Sequence, residues 1–279
     1  MRAFGHASLL ALSLACATDA HAQSQATAPC APDGDGMPTG PAQLGLRDGD
    51  LGVPRRMCPR TEIALGGTAY AVIEPDAFYG NLRVATPVGG SFAVDDTTEL
   101  FGALEVVRYQ TVISSLEAEQ FGLGDTSVGL THAPWRAERS RAGVTARLVM
   151  PTASARDGAV WPFGLDAGVG VAHALGARLV LHAQTGALST IVAGGSPPPP
   201  RAAWATTAGA AWRPWRWLQL VVDAHVELGY AAALDVFALA PALRFAGGAH
   251  FGAELGAMLP LAGRERALAA ADLRLSLRL

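Results

Sequence analysis

Three histidines and three carboxylates stand close enough in the sequence to suggest chemistry: His182, His225 and His250, with Asp223, Glu227 and Glu254. Imidazole beside carboxylate serves proton transfer and metal ligation. The spacing of a dedicated site is missing, however. No H-x-x-x-H or H-E-x-x-H pair occurs, so neither a metal nor a cofactor is expected. A hydrolase would need a Ser activated by a nearby His. Ser127, Ser189 and Ser276 are the main candidates; none has a His two residues away, and no G-x-S-x-G turn exists. The glycine-rich runs 164–170 and 247–256 precede no helical pattern, so they read as strand glycines at close approaches and not as phosphate loops. The chain is therefore not expected to be an enzyme.

What the histidines and carboxylates share is position: each falls on the polar side of a segment that alternates with period two. In 216–229, Leu218, Leu220, Val222, Ala224, Val226 and Leu228 share one face, and Gln219, Val221, Asp223, His225 and Glu227 share the other. Near the C-terminus, Leu273, Leu275, Leu277 and Leu279 oppose Asp272, Arg274, Ser276 and Arg278. Alternation of this kind is the mark of a strand whose two faces meet different surroundings. Twelve such segments can be counted, at 61–73, 79–87, 97–113, 124–133, 141–151, 160–172, 177–187, 202–212, 216–229, 234–244, 248–259 and 268–279. The phase of 97–113 changes near Val106-Val107, which predicts a bulge.

A soluble sandwich or an intracellular barrel would turn the apolar face inward. A membrane barrel turns it toward lipid. Most segments have the length of a tilted strand that crosses a bilayer. Aromatic residues sit near strand ends in two sets, with Trp135, Trp212, Trp215 and Trp217 at one end. Phe78, Tyr79, Tyr109, Phe121, Trp161, Trp204 and Tyr230 form the other set, so the pattern matches two interfacial girdles. Longer connections, 114–123, 152–159 and the proline-rich 188–201, alternate with tighter ones such as 173–176 and 245–247; the longish 134–140 and the short 230–233 are exceptions. The expected fold is all-β: a closed antiparallel transmembrane β-barrel of about 12 strands over 61–279.

Composition agrees. Half of the 279 residues are hydrophobic and 16% are charged, yet no run of eighteen apolar residues exists, which excludes membrane-spanning helices. The 21 basic residues are all Arg, scattered against 24 acids, so nucleic-acid binding has no electrostatic footprint. Residues 1–22 read as a signal peptide, with Arg2, an apolar stretch at 9–17 and Ala20-His21-Ala22 as cleavage site. Residues 23–60 show no periodicity and read as an irregular periplasmic segment, which could be stapled by a Cys30–Cys58 disulfide after export and could plug the lumen.

Within this frame, Gly122-Leu123-Gly124-Asp125-Thr126-Ser127-Val128-Gly129-Leu130 is followed by Arg141 to Pro151-Thr152. This resembles the GLGD-x-x-x-G and P-T signature of bacterial outer-membrane barrels of the phenol-degradation meta-pathway transporter type. The resemblance is specific over about 122–152 and generic elsewhere. It implies an outer-membrane location, a channel for small molecules, hydrophobic ones among them, and lipid, solute and the barrel assembly machinery as partners. The residues expected to line the lumen are Glu105, Arg108, Arg147, Arg178, His182, Asp223, His225, Glu227, His250, Glu254 and Arg274. Their signs are nearly balanced, which argues against strong ion selectivity. Two alternatives are kept: a structural or interaction barrel with a blocked lumen, and a soluble periplasmic sandwich.

Overall fold

The computed structural model describes residues 58–74, 79–113, 118–152, 161–193, 201–229, 233–247, 250–263 and 267–279. Among them are thirteen strands and no helix. These are β1 (Glu62–Glu74), β2 (Tyr79–Ala93), β3 (Thr98–Ile113), β4 (Ala118–Gly122), β5 (Thr126–Ala137), β6 (Ser140–Met150) and β7 (Trp161–Ala174). They continue as β8 (Leu179–Ala193), β9 (Arg201–Trp215), β10 (Leu218–Leu228), β11 (Leu234–Gly247), β12 (Phe251–Ala262) and β13 (Ala267–Arg278). Every pairing is antiparallel and joins sequence neighbours except two: β3 with β5, and β1 with β13, which closes the ring with Glu62 opposite Arg278 and Ala69 opposite Ala271. A closed sheet leaves no edge for water to satisfy, so the two-sheet sandwich is excluded.

The wall has twelve positions, because β4 and β5 are halves of one interrupted strand. Both pair with β3, β4 along Arg108–Val112 and β5 along Thr98–Leu104. Across the interruption, Gly124 N donates to Glu105 O (2.8 Å) and Glu105 N donates to Asp125 O (3.2 Å). The expected bulge is present: β2 registers Thr86 with Val107 but Pro87 with Glu105, so Val106 is the extra residue.

Three sequence expectations are corrected. The connection expected at 114–123 contains β4. The longish turn at 134–140 shrinks to Glu138-Arg139. The segment 79–87 extends to Ala93 through Gly89-Gly90, which look like a turn in sequence but sit where neighbouring backbone comes close. A β-carbon on Gly90 would stand 2.7 Å from Glu62 O.

Burial is inverted relative to a water-soluble domain. Among the largest fully buried side chains are Glu99, Thr131, Asp223 and Asp272, whereas Leu255, Leu273 and Val222 are about half exposed. Apolar surface left in water forfeits roughly 25 cal/mol per Å2. An exterior sheathed in Leu and Val is stable only where lipid takes the place of water.

Candidate functional site: the barrel interior

The inward positions are set by the pleat. On β10 they are Gln219, Val221, Asp223, His225 and Glu227, all buried, while the residues between them face outward. On β12 they are Gly252, Glu254, Gly256 and Met258. The interior is therefore polar and built from cross-strand rows.

One row joins β8, β9 and β10. His182 registers with Gly209, and Gly209 with Asp223. His182 Nε2 donates to Asp223 Oδ1 at 2.6 Å. The bond lies flat over Gly209, where a β-carbon would overlap Asp223 Oδ1. In the next row, Thr207 Oγ1 and His225 Nδ1 are 2.9 Å apart, and His225 Nε2 is 3.9 Å from Glu227 Oε2.

A second cluster forms where the strand is interrupted. Arg83 Nη2 donates to Glu105 Oε1 (2.6 Å), and Arg108 Nε donates to Glu105 Oε2 (2.7 Å). Arg108 Nη2 reaches Asp125 Oδ2 (2.9 Å). The bulge makes this possible. Glu105 and Arg108 are three apart and would face opposite ways on a regular strand; one extra residue puts both inside. Gly124 completes the geometry, since any β-carbon there would overlap the Glu105 side chain.

Further ion pairs run along the wall. Arg147 Nε donates to Asp166 Oδ2 (2.8 Å), Arg244 Nε to Glu254 Oε2 (2.5 Å), and Arg274 to Glu62 across the closure seam. Beside the Arg147–Asp166 pair lies a cavity of about 40 Å3 lined also by Thr145, Gln184, Thr207 and His225, with Gly168 and Gly186 among the other lining residues. Charges buried in this way are held by partners and not by solvent. Among the described residues eight carboxylates but four arginines are buried, so the inner wall is more acidic than the near-balance expected from sequence.

Of the residues read from sequence as lining the interior, Glu105, Arg108, Arg147, His182, Asp223, His225, Glu227, Glu254 and Arg274 take part in these inward contacts. Arg178 and His250 lie outside the strands. Each sits in a rim connection and is exposed. Sequence reasoning passed over Arg83 and Asp125 as members of one cluster, and over Gly209 and Gly124 as the space their neighbours need. Cys58 is disulfide-bonded and buried against Ala133, Ala172, Ala174 and Val180. Cys30 and residues 1–57 lie outside the described residues.

The exterior carries two aromatic levels. Trp135, Trp212, Trp215 and Trp217 are exposed near one rim, and Phe121, Phe163 and Trp204 near the other. Trp204 and Trp212 on β9 are eight residues apart, roughly 20 Å in height for a tilted strand. Phe78 and Tyr230 lie outside the described residues.

The chain is an outer-membrane β-barrel. Its fold is similar to that of an outer-membrane channel from Pseudomonas putida F1, at TM-score 0.60 and 11% identity, covering 81% of this chain and 99% of that one. It is also similar to the translocator domain of the autotransporter NalP from Neisseria meningitidis, at TM-score 0.55 and 9% identity, covering 81% and 90%. The KdgM porin, solved with disordered oligogalacturonate, matches at TM-score 0.50 and 8% identity, covering 78% and 99%. No family model matches the sequence, and neither does a curated protein. At these identities the likeness is one of fold.

Proposed function

We propose that this barrel passes small molecules across the outer membrane through a narrow interior. The observation that carries the reading is the closed wall with a polar, charge-paired inner face enclosing a cavity beside Arg147, Gln184 and His225. Buried carboxylates outnumber arginines on this face, so anions are disfavoured and size and hydrogen bonding sort the uncharged solutes. Twelve strands fall between barrels filled by side chains and wide aqueous porins, in keeping with small cargo.

Hydrophobic solutes of the phenol-pathway kind are the cargo class we favour. Support comes from the two halves of the signature, Gly122–Asp125 and Pro151-Thr152, which meet in the wall: Thr152 Oγ1 donates to Gly124 O. We also propose that residues 1–22 are removed on export, that Cys58 pairs with Cys30, and that 23–60 restrict the lumen from the rim where Cys58 is buried. The barrel assembly machinery is the partner this reading requires for insertion.

Liposome swelling with the full chain tests the proposal. Swelling with small uncharged and aromatic solutes is expected, and deleting 23–60 should raise conductance in planar bilayers. No swelling, with or without that segment, would favour a blocked structural barrel.

A further inference from the structure

The rim where Leu279 N bonds to Thr61 O also carries the turns that follow β5, β7 and β9. These turns place Arg139, Arg178 and Arg216 in succession. Backbone bonds beyond the regular ladders fix them to the next strand pair. Ala174 N donates to Arg139 O (2.7 Å), Arg213 N to Arg178 O (2.7 Å), and Ala246 N to Trp217 O (2.9 Å). Successive turns are two strands apart, about 10 Å.

Charge is lopsided in this sector: the three turns carry Arg139, Arg178 and Arg216 against one carboxylate, the exposed Glu138 beside Arg139. Arg178 and Arg216 are exposed and Arg139 is half-buried. Among the described residues, none of the three pairs with a carboxylate. Asp96, on the preceding turn, is taken by Arg136. Beside the arginines stands an aromatic slab: the Trp215 and Trp217 rings stack at 5.6 Å, Trp217 and Phe245 at 6.3 Å, and all three are exposed.

A guanidinium presents a planar fork that matches two phosphate oxygens, and indole rings settle at the headgroup level of a bilayer. Long arginine stems let the charge reach that level from a rim turn. We propose that this sector, from the β5–β6 turn to the β9–β10 turn, binds the phosphate of an anionic phospholipid in the leaflet around the rim. The occupant is a lipid because the cations adjoin an apolar, ring-lined exterior. It is an anionic lipid because three guanidiniums in a row repel an ammonium headgroup.

The test uses full-length protein carrying W161F and W204F, which leaves Trp135, Trp212, Trp215 and Trp217 as the emitters of the six tryptophans. It is reconstituted in phosphatidylcholine vesicles containing a minor fraction of brominated phosphatidylglycerol or, in parallel, brominated phosphatidylcholine. Quenching by the anionic lipid is expected to exceed that by the zwitterionic one by about twofold or more, and to fall as salt screens the arginines. R139Q/R178Q/R216Q should equalise the two lipids while heat-modifiable gel mobility stays intact. Equal quenching with the native rim, a preference insensitive to salt, or a preference that survives in the folded triple variant would each overturn the proposal. None of these results bears on whether the lumen conducts.

Discussion

Thr152 Oγ1 lies 3.2 Å from the carbonyl oxygen of Gly124 and 2.8 Å from Thr126 Oγ1, so the residue just beyond β6 is tied to the interruption between β4 and β5. Pro151 ends β6 by removing a donor, and Thr152 then supplies a hydroxyl to the carbonyl left unpaired at the break. Thr152→Val keeps the shape and removes both bonds. It should cost about 1 kcal/mol, read as a lower unfolding midpoint in urea followed by gel mobility.

The row His182, Gly209, Asp223 makes a sharper prediction. Gly209→Ala forces a methyl into the Asp223 carboxylate and the Val222 carbonyl. The expected loss is about 1–3 kcal/mol. Gly67→Ala is the control on the same barrel, since a β-carbon there meets nothing within 4 Å, and its unfolding midpoint should not fall.

Arg108 bridges Glu105 and Asp125. Arg108→Met leaves Asp125 without that cation in a buried setting, and breaking such a pair from one side costs about 3–5 kcal/mol. Reduced folded yield is expected. Arg108→Met combined with Asp125→Asn should recover much of it, because the uncompensated charge is then gone.

Asp95 sits in the β2–β3 turn and accepts bonds from Thr97 Oγ1, Thr97 N and Thr98 N at 2.6, 2.6 and 2.8 Å. These bonds hold its carboxyl at about 2, below the ordinary 3.8, with the Thr97 hydroxyl the largest cause. A depressed carboxylate contributes stability that is complete above its unfolded value and is lost as pH falls through the folded one. The turn should therefore loosen between about pH 4 and 2. Carbon-detected NMR titration of the Asp95 carboxyl in micelles is the measurement. A midpoint near 4 would contradict the capping role, and Asp95→Asn should leave the turn insensitive across that window.

Alternation made most of the wall legible, because one-sided burial writes itself into every second residue. Leu218 to Leu228 and Leu273 to Leu277 show it plainly, and even the bulge at Val106 appeared as a change of phase. The interruption at Leu123–Asp125 did not. β4 has five residues, too few to display a period, and Glu119-Gln120 within it look like loop. Strand ends are illegible for a related reason: periodicity does not say where a strand stops, and Arg178 and His250 fall in connections. The clusters were illegible in a deeper sense. That Gly209 exists to let His182 meet Asp223 depends on a three-strand register, and register is fixed by closure rather than by any one segment.

Closure has a consequence in time. The seam joins β1 to β13, and the Arg274–Glu62 bond across it spans 212 residues of chain. A chain lacking either β1 or β13 cannot complete the ring. Until its last strand arrives, β1 offers a bare ladder of donors and acceptors to any neighbour that passes. The first strand to emerge is thus among the last to be satisfied, and the growing sheet needs custody at that edge for as long as the other strands take to assemble.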